Sequence, residues 1–366
     1  MPFTTMINQQ SVDALTAKKL QESYFSKIIH IPGKGVNEGL TEDASAASVR
    51  VVRQKLPGIA TRQLGATVNG GNFNGENAKG IASDEFYIDI TNVYDGNIDI
   101  AEVQTDMFSL PVVEATMENC GGEVATGVNA STIAEQVKAW ANDAIASEPV
   151  VQKVELPSTL EETSYRDAIL DASAILDDGD ESNQVQIYPD DMREIIARPS
   201  FCTGLFKGNN VIVGGDLSVA LLERGVIAEG TYRGNGEQYV GEVNNTPIYK
   251  APKTLWNAAA NELVFNNGTT KSGNLAHNPD AKAEFDKIQA LVVSAVGTLR
   301  GIAVGNRVKS IPSPLGAGLR LQPKFRWGVK CIYPSSVVPI VSNGFSVADL
   351  TYTNKTLNRL PYGSQS

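Results

Sequence analysis

Residues whose types could do chemistry are sparse in this 366-residue chain, and none of them stands at a working spacing. Neither of the two histidines, His30 and His277, has a cysteine or second histidine at the short intervals zinc ligands keep. His277 precedes Asn278-Pro279-Asp280 and reads as a turn residue. The three cysteines, Cys120, Cys202 and Cys331, lie 82 and 129 residues apart with no CxxC, a pattern of reduced thiols rather than of a disulfide framework. Gly214-Gly215-Asp216 follows the apolar Val211-Ile212-Val213 and opens a helical pattern, which is the right context for phosphate. It lacks both the Gly-Lys-Ser/Thr of a P-loop and the three-glycine dinucleotide fingerprint. Gly33-Lys34-Gly35 is likewise not followed by Ser or Thr, and no Gly-x-Ser-x-Gly elbow occurs. Asp177-Asp178-Gly179-Asp180-Glu181 invites a calcium reading. Counted from Asp178, however, the sixth position of an EF-hand loop is Asn183 instead of glycine. The expectation is a chain that is not an enzyme, with no catalytic, cofactor-binding or metal-ligating residues.

Charge carries more information. Residues 81–137 contain no Lys or Arg and eleven acids, among them Asp84, Glu85, Asp89, Asp95, Asp99 and Asp106. Residues 300–366 reverse the balance, with nine bases, including Arg320, Lys324 and Arg326, against the single acid Asp349. Two readings are open. The two segments are solvated faces of one domain, or the acidic segment of one subunit lies on the basic segment of the next. In the second reading Asp84, Glu85 and Asp89 meet Arg320, Lys324 and Arg326, a complementarity that sets register and speeds association more than it adds affinity. A net charge of −10 allows only weak, sequence-independent contact with nucleic acid, because phosphate binding scales with the number of Lys and Arg contacts.

The elements that must position these charges follow from periodicity. The composition is that of a folded globular chain, 42% hydrophobic and 20% charged, long enough for two or three cores. No apolar run reaches the eighteen residues of a membrane span; residues 290–296 come nearest, and Ser294 interrupts them. The N-terminus has neither the basic start nor the apolar core of a signal peptide. Residues 11–30 read as an amphipathic helix stopped by Pro32-Gly33. After the turn cluster at residues 69–75, Phe86, Ile88 and Ile90 alternate with polar neighbours. A second alternating run with Ile98, Ile100 and Val103 follows Asp95-Gly96, so the spacing predicts a hairpin that packs on something else. Thr132 and Glu135 fit a capping box, and Ile133, Val137, Trp140, Ala141, Ala144 and Ile145 form one stripe, which predicts a helix over 131–147 with Trp140 as a core anchor. Another helix is predicted over 160–176, lined by Tyr165, Ile169, Ala172 and Leu176.

From residue 184 to 252 the signals are dense. Val185, Ile187 and Tyr188 predict a strand, and Pro189 with two following carboxylates predicts a helix through Ala197 closed by Pro199. Val211-Ile212-Val213 predicts a strand, and Asp216 to Gly225 a capped helix. Residues 238–243, the turn Asn244-Asn245 and residues 246–250 predict a strand and its return. Near the C-terminus Leu319, Leu321, Phe325, Trp327, Val329, Cys331 and Tyr333 fall on one face of a long strand. Arg320, Gln322, Lys324, Arg326 and Lys330 fall on the other, over about 50 Å at roughly 3.3 Å per residue. Its expected partner is 299–304, paired with 319–321 around a loop over 305–318.

The order of elements across 184–252, with its closing Gly241-Glu242-Val243-Asn244-Asn245-Thr246-Pro247-Ile248-Tyr249, resembles the axial domain of tailed-phage major capsid proteins. These share the Hong Kong 97-type fold, an α+β architecture, with bacterial encapsulins. The resemblance covers about two-thirds of the chain. It implies an N-terminal arm over 1–62, an extended loop over 63–118 and a peripheral domain over 119–158 and 293–345. It further implies an axial domain over 159–292 and a C-terminal tail over 346–366. In the peripheral domain the helix near 131–147 would be the spine, and the long strands would lie near 299–333. The function implied is self-assembly, in pentamers and hexamers, into the icosahedral head around double-stranded DNA. Portal and scaffolding or decoration proteins would be partners. The product would be made in the host cytoplasm and located in the virion, with no membrane association. With only about sixty residues before the loop, no fused scaffold and no maturation cleavage are expected, which the intact mass of subunits from mature particles would check. An encapsulin compartment is the alternative reading, and a soluble ligand-binding protein the remote one.

Overall fold

The structure is a computed structural model that describes residues 48–54, 83–90, 92–95, 98–146, 152–161, 163–180, 187–207, 239–244, 246–265, 273–274, 279–312, 318–345 and 352–354. In chain order the elements are β1 (Ser48–Gln54), β2 (Ser83–Asp89), β3 (Asn92–Asp95), β4 (Ile98–Ala101), α1 (Glu102–Ala146), β5 (Val154–Glu155) and α2 (Ser164–Asp177). Next come β6 (Arg193–Ala197), α3 (Pro199–Lys207), β7 (Tyr239–Val243), β8 (Thr246–Lys250), α4 (Lys253–Glu262), β9 (Leu263–Phe265) and β10 (Gly273–Asn274). The last are α5 (Pro279–Asp286), β11 (Ile288–Ser294), β12 (Thr298–Pro312), β13 (Gly318–Cys331), β14 (Val337–Val341) and β15 (Tyr352–Asn354). The expected helix over 11–30, the strand 211–213, the helix from Asp216, Val185, and both histidines lie outside the described residues.

One sheet, in the order β5-β14-β11-β6-β8-β7, is buried on both faces. Alternate residues of its central strands enter opposite cores, as the pleat requires. Ile195, Ala197, Ala290, Val292, Val338 and Ile340 pack on α2 and α3 through Ile169, Ala172, Leu176, Phe201 and Leu205. Ile196, Tyr249, Leu291, Val293, Val337 and Val341 pack on the other side, against Ile133, Val137, Trp140 and Ala141 of α1 and Leu255, Trp256 and Ala259 of α4. Trp140 is a core anchor. Its indole N–H donates to the Gln152 carbonyl at 2.8 Å, and its ring lies 5.8 Å from that of Phe345.

The segment after Pro189 departs from the predicted helix. A single 3-10 turn, Asp190–Met192, leads straight into β6, and Pro199 opens α3 where it was expected to close a helix. All five residues of β6 are buried. A strand covered on both faces loses the alternation that would mark it, while Pro and carboxylates suit the start of a 3-10 turn as well as of an α-helix. Ile187 and Tyr188 precede that turn and are not in a strand. The buried Arg193 collects the turn: its guanidinium reaches Asp177 at 2.6 Å, Asp190 at 2.8 Å and the Tyr188 carbonyl at 2.5 Å. Asp177, half exposed, ends its helix in this ion pair. The predicted strand, turn and return at 238–250 are β7 and β8, with Asn244 in the left-handed region at φ 50°.

A second sheet holds the long strands β12 and β13, edged by β3 and β4. Its pairing runs from Thr298 opposite Cys331 to Pro312 opposite Leu319. Leu299 thus faces Lys330 and not the 319–321 segment, because the strands continue to residues 312 and 318 and the connection is far shorter than expected. Helix α1 is also longer than expected: its 45 residues begin at Glu102, and at about 1.5 Å per residue it spans about 68 Å. Thr132 and Glu135 are inside it, and the Thr132 hydroxyl donates to the Val128 carbonyl at 2.8 Å in place of capping. Pro111, Gly121, Gly122 and Gly127 read as breakers in the sequence. The helix passes through them, and Val124, Ala125 and Val128 pack on Phe325 and Trp327 of β13. The expected hairpin of 86–90 with 98–103 does not form. β2 pairs with β1, while β4 pairs with β13.

Candidate functional site

The six residues singled out from charge fall on two separate pieces of backbone. Asp84, Glu85 and Asp89 are on β2, whose register against β1 sets Asp84 opposite Arg53, Glu85 opposite Val52 and Asp89 opposite Ser48. Period two divides the three acids. Glu85 and Asp89 share one face of this ribbon with Arg50, while Asp84 shares the other with Phe86 and the fully buried Ile88. Asp84 is therefore placed beside an arginine of its own chain.

Arg320, Lys324 and Arg326 share one face of β13, the face opposite Leu321, Phe325 and Trp327. Directly opposed residues of antiparallel strands lie on the same face, so β12 adds Lys309 opposite Gln322 and Arg307 opposite Lys324. A bulge between Ala303 and Arg307 leaves this parity intact, since four residues on β12 span two on β13. On the other side of β13 the register brings Asp95 beside Lys324 and Asp99 beside Arg320. Arg326 has Val93 and Ala303 beside it and is exposed. By register this face of the sheet holds Arg307, Lys309, Arg320, Lys324, Arg326 and Lys330 together with Asp95 and Asp99. Arg307 and Lys309 escape a sequence reading because the register that aligns them with Lys324 and Gln322 depends on the short connection after Pro312.

The inner face of the same sheet meets α1 through a polar seam that sequence reasoning took for a helix cap. The Trp327 indole N–H donates to Ser131 Oγ at 3.1 Å. The hydroxyl of Ser131 lies 2.9 Å from Glu262 Oε1, on α4, and 3.0 Å from the Gly127 carbonyl. One turn on, the buried Glu135 is ion-paired with Lys138 and lies 3.7 Å from Lys330 Nζ. Gln136 reaches the Thr298 hydroxyl at 3.4 Å. The signal in the sequence is a second stripe, Gly127, Ser131, Glu135 and Lys138, at helical spacing beside the apolar one. Burial, and secondarily the charge of Glu135, push the neighbouring Cys331 thiol up to about 12. Cys202, on α3 in the core that this helix shares with the sheet, is raised by burial to about 11. Neither thiol is poised as a nucleophile. Among the described residues no three His, Cys, Asp or Glu side chains converge at metal-binding distance. None of the described helices is long and apolar enough to cross a membrane.

Comparison with known proteins places this architecture. No protein-family model matches the chain, and no curated protein does. Among solved structures, the capsid of Ralstonia phage GP4 is similar with a TM-score of 0.50 at 10% identity, over 87% of this chain and 90% of that one. The fold is the Hong Kong 97-type capsid fold. The mature capsid of bacteriophage PhiM1 gives a TM-score of 0.49 at 14% identity, over 82% of this chain and 83% of that one. A Mycobacterium phage Che8 structure gives 0.48 at 12% identity, over 86% and 89%.

Proposed function

We propose that the chain is the major capsid protein of a tailed phage, self-assembling through pentamers and hexamers into an icosahedral head around double-stranded DNA. The observation that carries this reading is the joint arrangement of a three-layer axial unit and a 45-residue helix backed by two long strands, in a fold otherwise seen in a phage capsid at matching coverage. Its role is structural and its location the virion, with the subunit made in the host cytoplasm. Portal and scaffolding or decoration proteins are its further partners, and contact with packaged DNA is weak and nonspecific. The division is redrawn on the strand pairing: α1 with β3, β4, β12 and β13 forms the peripheral part, the sheet β5-β14-β11-β6-β8-β7 with α2, α3 and α4 forms the axial part although β5 and β14 were expected in the peripheral one, and the arm and tail fall at 1–47 and 346–366. The extended loop, expected over 63–118, is reassigned to the β1–β2 ribbon and the residues between its strands, a reading supported by the pairing of Ser48–Gln54 with Ser83–Asp89.

The acidic ribbon of one subunit lies on the basic outer face of a neighbour's long sheet. Glu85 and Asp89 are its leading acids, because Asp84 has Arg53 beside it. Arg320, Lys324 and Arg326 are the leading bases. Sedimentation of the purified chain tests the reading as a whole. A shell protein sediments as large closed particles carrying DNA when produced during infection; a ligand-binding protein sediments as a small species, and an encapsulin as shells loaded with a protein cargo.

A further inference from the structure

We propose that Ser131, with Trp327 and Glu262, is a three-way polar pin that fixes the angle between the axial sheet and the long peripheral sheet. That this angle then sets shell curvature rests on the capsid reading above. Helix α1 has two contacts of different chemistry. Toward the axial unit it offers Ala130, Ile133, Ala134, Val137 and Trp140, an apolar stripe that tolerates small rotations because such packing is not directional. Toward the long sheet the apolar Val124, Ala125 and Val128 are joined by a polar seam of Gly127, Ser131, Glu135 and Gln136, whose bonds are directional and buried. Ser131 is the side chain that reaches both bodies, accepting from Trp327 on β13 and facing Glu262 at the end of α4. Gly127, one turn earlier, completes the slot: a Cβ there would lie 2.9 Å from Trp327 Cζ2, so the indole rests on bare helix backbone.

Buried polar contacts of this kind select one geometry among several that apolar packing would accept. Rotating the long sheet about α1 would strip Trp327 of its acceptor and leave a buried N–H unpaired, a cost the apolar contacts do not impose. Glu135, held by Lys138 and reached by Lys330, secures the next turn. The pin therefore holds two rigid sheets at one mutual angle within each subunit.

The test uses unassembled full-length subunits carrying spin labels at Lys250→Cys on β8 and Arg326→Cys on β13, both exposed positions. All three native thiols, Cys120, Cys202 and Cys331, are buried and label slowly. The expected result is a narrow label-to-label distance distribution that broadens in both Ser131→Ala and Trp327→Phe. It stays narrow in Thr126→Ala, which removes an exposed hydroxyl bond on the same helix. Trp327→Phe removes the N–H and shrinks the indole to a phenyl ring that still packs on α1, so it reports on the pin from the other partner even where Ser131→Ala folds poorly. In shells assembled from the same variants, the diameter distribution widens in parallel. Distances as narrow in Trp327→Phe as in the parent overturn the proposal, whether or not the chain forms shells. Widened distances with no shells from the parent chain would keep the pin and remove the capsid reading.

Discussion

Three buried groups give the subunit a pH dependence whose sign follows from their environments. Cys202 and Cys331 have pKa values raised from 9.0 to about 11 and about 12, and burial pushes Tyr188 above its ordinary range as well. Each is neutral when protonated, so the folded chain keeps protons that the unfolded chain has already released. Their contribution is fully present below pH 9.0 and is lost as pH climbs through the raised values, at about 1.4 kcal/mol per group for each unit between the two pKa values. Urea unfolding from pH 8 to 11 should show stability falling above about pH 9, with a shallower fall in Cys331→Ala; a flat profile would contradict the burial of these groups. Trp140 tests packing instead of titration. Trp140→Ala removes a buried indole together with its bond to Gln152, and should cost about 3–5 kcal/mol in denaturant unfolding. A loss under about 1 kcal/mol would mean that the indole does not join α1 to the axial core.

At the scale of elements, legibility in the sequence tracks how one-sided an element's burial is. The stripe Ile133, Val137, Trp140 and Ala141, and the alternation Leu321, Phe325, Trp327, were readable because each has one wet or polar side. β6 was not, since Arg193-Glu194-Ile195-Ile196-Ala197 is buried throughout and its period is erased. The first half of α1 was hidden by Pro111 and its glycines. One of these, Gly127, marks a close approach by Trp327 and not a stop. The charged candidates were visible as types but not as partners: period two parts Asp84 from Glu85 and Asp89, but only the β1–β2 register shows that Arg53 stands opposite Asp84. Reversing Glu85 and Asp89 to lysine should raise the concentration needed for assembly, and Arg326→Glu in the same chain should partly restore it. Exposed pairs contribute only about 0–1 kcal/mol each, so assembly should be impaired rather than abolished. The coupling should fade at 1 M salt, where the Debye length is about 3 Å. Strictly additive effects at low salt would mean the ribbon and the sheet face do not meet. Residues 1–47 of the proposed N-terminal arm lie outside the described residues, and deletion of the arm's start is the matching experiment. Removing residues 1–30 should leave subunits that fold cooperatively but assemble poorly, and normal assembly would make the arm dispensable.

For the whole molecule, the account joins two sheets of different kinds through one long helix. The axial unit is a closed three-layer core with apolar side chains on both sides of its sheet. The peripheral sheet has an apolar face against α1 and a basic face turned outward. On the proposed reading a chain made this way completes itself by meeting copies of itself, and that is the central claim. Electron microscopy of the purified, full-length chain under assembly conditions tests that claim most directly. The account predicts closed shells of uniform diameter with icosahedral order, in which each subunit's β1–β2 ribbon crosses the long sheet of its neighbour. A preparation that stays monodisperse and monomeric across concentration and salt, with no shells in any field, would contradict it.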